Sequence, residues 1–243
     1  MNVHVVVLYF CAAAVVLPGS QLIVALAGTG TGTQTRTGTG PGKGAEQAPP
    51  VRLAAALWGR PRPWASAVLC GLMATMAVIQ TLAPAVMPHL ERVPDGEWWR
   101  AVTALLVQTS GWGQLGFNLA ALAVVAPAAE RRLGGLLMLA VFLASGIVAQ
   151  AVSMAGWSVH GGGDSVGICG LVGALAVECA LGRGQRPRPL RLLSLLVPAA
   201  GVVLCLLENN HGMGLLAGSA AGVAVVLLAP ESRERRRPLG ETG

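Results

Sequence analysis

GGGDSVGICG, residues 161–170, sets one serine between a run of glycines and a long apolar stretch, beside an aspartate with no evident partner. It reads either as a hydrolase's nucleophile or as a helix cap at a membrane surface, and the surrounding solvent decides between them. The chain is 53% apolar and only 12% charged over 243 residues, with long uncharged runs, the composition of a protein whose solvent is lipid. The net charge of +6 comes from basic residues in short blocks between apolar segments. No stacking aromatics are interleaved with them, so membrane orientation explains them better than a nucleic-acid partner. Cys11, Cys70, Cys169, Cys179 and Cys205 each fall singly inside an apolar run. They lack the spacing of a metal site or a disulfide framework and read as small hydrophobic fillers; no metal and no cofactor are expected.

Outward from this stretch, six segments after residue 60 satisfy the roughly 20 apolar residues that a bilayer core about 30 Å thick requires. They run from about Trp64 to Val86, Trp112 to Ala129, Leu136 to Trp157, Ser165 to Leu181, Leu190 to Leu207 and His211 to Ala229. A backbone in lipid must satisfy its own hydrogen bonds, and the runs lack two-residue alternation, so helices are expected throughout. Arg52, Arg60, Arg62, Arg131, Arg132, Arg183, Arg186, Arg188, Arg191 and Arg233, Arg235, Arg236, Arg237 all fall on one side of a six-span arrangement. That side is expected to be cytoplasmic, holding both ends of the core in a plasma (inner) membrane. The opposite connections hold Arg92 and Arg100 with Glu91, Asp95, Glu97, Asp164 and Glu208.

Residues 1–27 form a further apolar segment, ending in ALA at 25–27, which reads as an extra uncleaved span, with a misassigned start as the rival. Residues 28–60 read as a flexible Gly/Thr/Pro-rich linker, 61–230 as the six-span core and 231–243 as a basic cytoplasmic tail.

Three helix starts share the outer side: Ser165 opens the fourth span, His211 the sixth, and Gln114 with Asn118 lies in the first turns of the second. Three, seven and eleven residues after His211 come Gly214, Gly218 and Gly222, a glycine strip along one helix face. After Ser165, the residues Cys169, Gly173 and Ala176 are expected on one face of the fourth span. Two faces this bare allow close helix approach, and packing them together carries Ser165 and His211 into contact.

At these residues the chain resembles the rhomboid intramembrane serine proteases, over about residues 64–229. GEWWR (96–100), with Trp99 and Arg100, is similar to the Trp-Arg motif of the family's first external loop. GWGQLGFN (111–118) resembles the start of its second span, AERRLG (129–134) its Glu-Arg element, GDSVGICGLVGA (163–174) its Gly-x-Ser-Gly helix, and HGMGLLAG (211–218) the start of its sixth span. The resemblance implies an all-α, six-transmembrane-helix rhomboid-like bundle with an additional N-terminal hydrophobic helix. It implies catalysis by Ser165 and His211 without a third acid, an oxyanion hole from the Ser165 N–H with Asn118 and Gln114, and transmembrane protein substrates cut near their outer ends. Gly163, Gly214 and Gly218 are then structural, as are Trp99 and Arg100.

The sequence departs from the family pattern at Gln114 (a histidine in the family), Val166 (a glycine), Cys169 (an aromatic residue) and Gly212-Met213-Gly214. A rhomboid-like protein that binds transmembrane clients without cleaving them is the alternative. His89 and His160, in outer loops, are rival bases, and Glu178, thirteen residues after Ser165, is expected about 20 Å deeper, near the cytoplasmic interface. A small transporter would need charged or broken helices near the midplane, and none is evident.

Overall fold

The structure is a computed structural model that describes residues 3–30, 49–94, 97–182 and 186–228. The helices are α1 (Val3–Gly30), α2 (Pro49–Trp58), α3 (Trp64–Leu82), α4 (Met87–Leu90), α5 (Arg100–Thr103), α6 (Trp112–Leu133), α7 (Gly135–Val152), α8 (Ser165–Leu181), α9 (Arg188–Ser194), α10 (Leu196–Leu206) and α11 (Asn210–Leu228). A single isolated bridge between Arg92 and Gly161 is the only β pairing among the described residues. Among the described residues, six helical stretches are long and apolar enough to cross a membrane: Val6–Ala25, Trp64–Leu82, Trp112–Leu133, Gly135–Trp157, Arg188–Leu206 and Asn210–Leu228. With the shorter apolar helix α8 they make an all-α, multi-pass membrane bundle.

Helix α8 is the hub. Every residue from Val166 to Ala180 is buried except Cys169 and Glu178, and the helix touches α11, α7, α6, α9, α1 and α10. Its 17 residues span about 26 Å, less than a hydrocarbon core of about 30 Å. Near its far end Glu178 pairs with Arg132 at 3.0 Å and Arg186 at 3.5 Å, which holds that end at an interface. A helix of this length cannot reach both faces of such a core with its two ends.

Helix α11 lies against α8 almost backbone to backbone. A Cβ on Gly214 would overlap the Val166 carbonyl, one on Gly218 the Gly170 carbonyl, and one on Gly173 the Leu215 carbonyl. On Gly222 it would stand 2.8 Å from the Ala174 carbonyl. The expected α11 strip is thus at the contact, and of the face expected on α8 Gly173 is there while Cys169 is not. Gly170 and Gly173 meet α11, whereas Cys169 faces an apolar cavity lined by α1. Spacing along a helix tells which residues share a face, and the partner's shape decides which face is used; the Gly218 strip fits over Gly170 because both lack side chains.

At the end away from Ser165, Glu130 of α6 receives the Ser66 hydroxyl at 2.6 Å and the backbone N–H groups of Ser66 (2.7 Å) and Ala65 (3.2 Å), satisfying the first turn of α3. Arg131 donates to the carbonyls of Leu57 (3.0 Å) and Gly59 (3.1 Å). Those bonds fix the chain just after α2, a helix formed within the stretch expected to be a linker. The Trp58 indole donates to the Ala123 carbonyl at 2.9 Å, so α2 is anchored to α6. Residues 31–48 and the basic tail at 231–243 lie outside the described residues. The N-terminal segment forms α1 and packs on α10, α8, α9, α6 and α2. The fifth apolar run is two pieces, α9 and α10, divided at Leu195, and the first core span ends at Leu82, ahead of Pro84.

Candidate functional site

Ser165 is the first residue of α8 and His211 the second of α11, so the seam that binds these helices also brings their starts together. The Ser165 Oγ lies 3.0 Å from His211 Nε2. On the other edge of the ring, His211 Nδ1 lies 2.9 Å from Asn209 Oδ1, which also accepts the His211 backbone N–H at 3.0 Å. That backbone donor fixes which atom of the Asn209 amide is the oxygen. The ring must then carry its proton on Nδ1, leaving the Nε2 lone pair facing the serine hydroxyl. A turn between α10 and α11, with Glu208 at φ 54°, presents Asn209 for this contact.

The rest of the site divides the expected residues into two groups. Gln114 Oε1 accepts the Ser110 N–H at 2.8 Å, which turns the Gln114 Nε2 toward Gly163 and the space beside Ser165. A Cβ on Gly163 would come within 2.9 Å of that Nε2 and 3.6 Å of Ser165 Oγ, so only glycine leaves the approach open. Asn118 is different. Its amide donates to Gln108 Oε1 at 2.8 Å and to Asp164 Oδ1 at 2.9 Å. Expected in the oxyanion hole, Asn118 instead commits its amide hydrogens to this buried cluster. Gln108 completes the cluster by donating to Asp164 Oδ1 at 2.6 Å. Asp164 is fully buried, so these bonds hold the residue just before Ser165 in place.

The connection between α3 and α6 is fastened to the same stretch of chain. Arg92 and Gly161 exchange backbone bonds of 2.9 Å and 3.3 Å, and the Gly163 N–H donates to the Ala104 carbonyl at 2.8 Å. Arg100 donates to the carbonyls of Pro88 (3.0 Å) and Glu91 (2.8 Å) and to Glu97 (2.9 Å), while stacking over Trp99 at 4.8 Å. The Arg100 hydrogen bond holds the exposed Glu97 carboxyl below its ordinary range. Trp99 and Arg100 thus shape the loop and do not line the space beside Ser165.

Two cavities meet at the pair. A polar one of about 190 Å³ is lined by Ser165, His211, Gln114, Gln150, His160 and Arg92 among others. An apolar one of about 800 Å³ runs between α1 and the core, past Val15, Gly19, Phe117 and Cys169, and also reaches Ser165, His211 and Gln114. The serine and histidine therefore stand where water and apolar chain can both arrive. Of the rival bases, His160 lines the polar cavity but is not within hydrogen-bond reach of Ser165, and His89 lies in α4 away from both cavities. Val166 is buried beside Leu105 and Ala149, which takes its side chain into packing contacts. Burial brings the Arg92 guanidinium down to about 10, so it stays charged at neutral pH, with Glu91 opposing the shift.

The linear chain does not single out Asn209, Gln108 or Arg92 as neighbours of Ser165 and His211. An Asn two residues before a helix-starting histidine is a capping signal that could have drawn attention to Asn209; the other two come together only through the fold.

A multi-pass helical membrane protein with a serine and a histidine in contact at the adjoining starts of two helices is the class this architecture defines. The chain belongs to the rhomboid family: the family model for the Rhomboid domain matches residues 95–231. It is 30% identical over 148 residues to "Putative rhomboid protease YdcA" of Bacillus subtilis (strain 168), a match covering 59% of this chain and 73% of that protein. Membership of that family associates the chain with intramembrane proteolysis.

Proposed function

We propose that the chain is an intramembrane serine endopeptidase that cuts transmembrane segments of other membrane proteins. The observation that carries this reading is the 3.0 Å contact between Ser165 Oγ and His211 Nε2 at the meeting of a polar and an apolar cavity. The apolar cavity receives the membrane-borne part of the substrate, and the polar cavity supplies water. The Ser165 hydroxyl attacks the scissile carbonyl while its proton passes to His211 Nε2. Asn209 Oδ1 keeps the imidazole in the required tautomer and supports the charge that forms on it. The oxyanion is received by the Ser165 N–H, at the open start of α8, and by Gln114 Nε2. Collapse breaks the C–N bond, and His211 returns its proton to the leaving amine. Water from the polar cavity, activated by the same imidazole, then hydrolyses the ester on Ser165.

In this reading the arginine-rich connections at the far ends of α6 and α8 lie on the cytoplasmic side of a plasma membrane, and the site opens outward. A fluorophosphonate probe on the detergent-solubilised protein tests the reading. Labelling that is lost in both Ser165→Ala and His211→Ala supports it, and a folded protein that never labels favours the client-binding alternative.

A further inference from the structure

Arg92 belongs to none of the machinery above, yet it is the one side chain carrying a full charge at neutral pH among the described residues that line the polar cavity with Ser165 and His211. Its place is built. Backbone bonds in both directions clip it to Gly161, four residues before the serine, and its Nη2 donates to the His160 carbonyl at 3.0 Å. The residue is only 4% exposed, and its Nε and Nη1 are buried with no hydrogen-bond partner. A buried guanidinium with two unpartnered donors is costly unless something completes it. Among the described residues, no Asp or Glu lines the cavity to do so.

The same charge bears on the chemistry. Proton transfer from Ser165 generates an imidazolium, and a cation lining the same small cavity opposes that step. An anion paired with Arg92 removes the opposition. A carboxylate is the complement that satisfies guanidinium donors and cancels their charge together, and a cavity of about 190 Å³ has room for one short acidic side chain.

Resting on the protease reading, we infer that Arg92 is a specificity-determining residue: it selects substrates carrying Asp or Glu within about two residues of the scissile bond, whose carboxylate enters the polar cavity and pairs with the guanidinium. The bound carboxylate then completes the site electrostatically, so an acidic residue speeds cleavage and does more than tighten binding.

The test uses the full-length protein in lipid vesicles. Its substrate is an apolar model transmembrane segment with a randomised six-residue window at its outer end, and the products are read by mass spectrometry. Fluorophosphonate labelling of Ser165 is measured alongside. The expected result is an enrichment of Asp and Glu near the cut by at least about tenfold over Asn and Gln, with Arg92→Glu moving the preference to Lys and Arg. A protein that labels at Ser165 and cuts the library without acidic enrichment overturns the inference while leaving the protease reading standing. A protein that neither labels nor cuts overturns both. An acidic preference that survives unchanged in Arg92→Glu assigns it to another residue and also overturns the inference.

Discussion

Asn209 holds His211 twice through one oxygen: Oδ1 sits 2.9 Å from the ring Nδ1 and 3.0 Å from the backbone nitrogen of the same residue. A histidine gripped in this way has neither its tautomer nor its ring angle free. Replacing Asn209 by Ala or Leu is expected to lower kcat by roughly 10- to 100-fold, about 1.4–2.8 kcal/mol of transition-state stabilisation. Asn209→Asp, which keeps an acceptor in place, is expected to recover most of that loss. Turnover of a transmembrane substrate across the three variants checks this; if Asp is as poor as Leu, the acceptor is not what matters.

Gln114 and Asn118, four residues apart on α6, are expected to part company on substitution. Gln114→Ala removes a donor aimed beside Ser165 and should cost ~3 kcal/mol in kcat, about a hundredfold, with little change in stability. Asn118→Ala strips a partner from the buried Asp164 carboxylate and should lower unfolding stability by about 1–3 kcal/mol. Thermal unfolding in detergent, measured beside fluorophosphonate labelling, separates the two effects.

The seam between α8 and α11 sets a steric prediction. Gly218→Ala drives a methyl group into the Gly170 carbonyl and is expected to destabilise the bundle by about 1–3 kcal/mol while slowing labelling of Ser165. Gly222→Ala, nearer the far end of the seam, should cost less. Gly116→Ala on α6 meets nothing within 4 Å, and is expected to be neutral or to stabilise by about 0.5–1 kcal/mol. Equal effects at Gly218 and Gly116 would contradict the close packing.

The apolar cavity makes a prediction about size. Val15→Trp on α1 fills part of its roughly 800 Å³, and is expected to cut turnover of a transmembrane substrate at least about tenfold. A small fluorophosphonate that arrives through the polar cavity should label Ser165 at a similar rate before and after. Parallel loss of both activities would mean that Val15 acts on the site's geometry.

Much of this architecture was legible in the linear chain because lipid leaves few options. Apolar runs of the right length had to be helices, and α6, α7, α8 and α11 begin within a residue or so of where composition turns apolar. Ser165, His211 and the Gly214–Gly218–Gly222 strip could be read from helical spacing alone. What escaped depended on matching two surfaces. Cys169 and Gly170 are adjacent in sequence, and only the shape of α11 settles which of them faces it. Asn118 looked like a free amide until Gln108 and Asp164, 10 and 46 residues away, claimed its hydrogens. Helix α2 escaped because a short helix held by Trp58 and Arg131 contacts leaves no long apolar run to find.

The glycine seam also bears on how the protein meets changes in its surroundings. With the carriers of Ser165 and His211 touching main chain to main chain, they behave as one rod, and sliding or tilting either alone would break carbonyl-to-glycine contacts along several turns. Thinner or thicker bilayers would be absorbed by the outer helices α1, α3 and α10. Sensitivity to lipid thickness should therefore show in how fast substrate arrives, while the reaction at the serine keeps its pace.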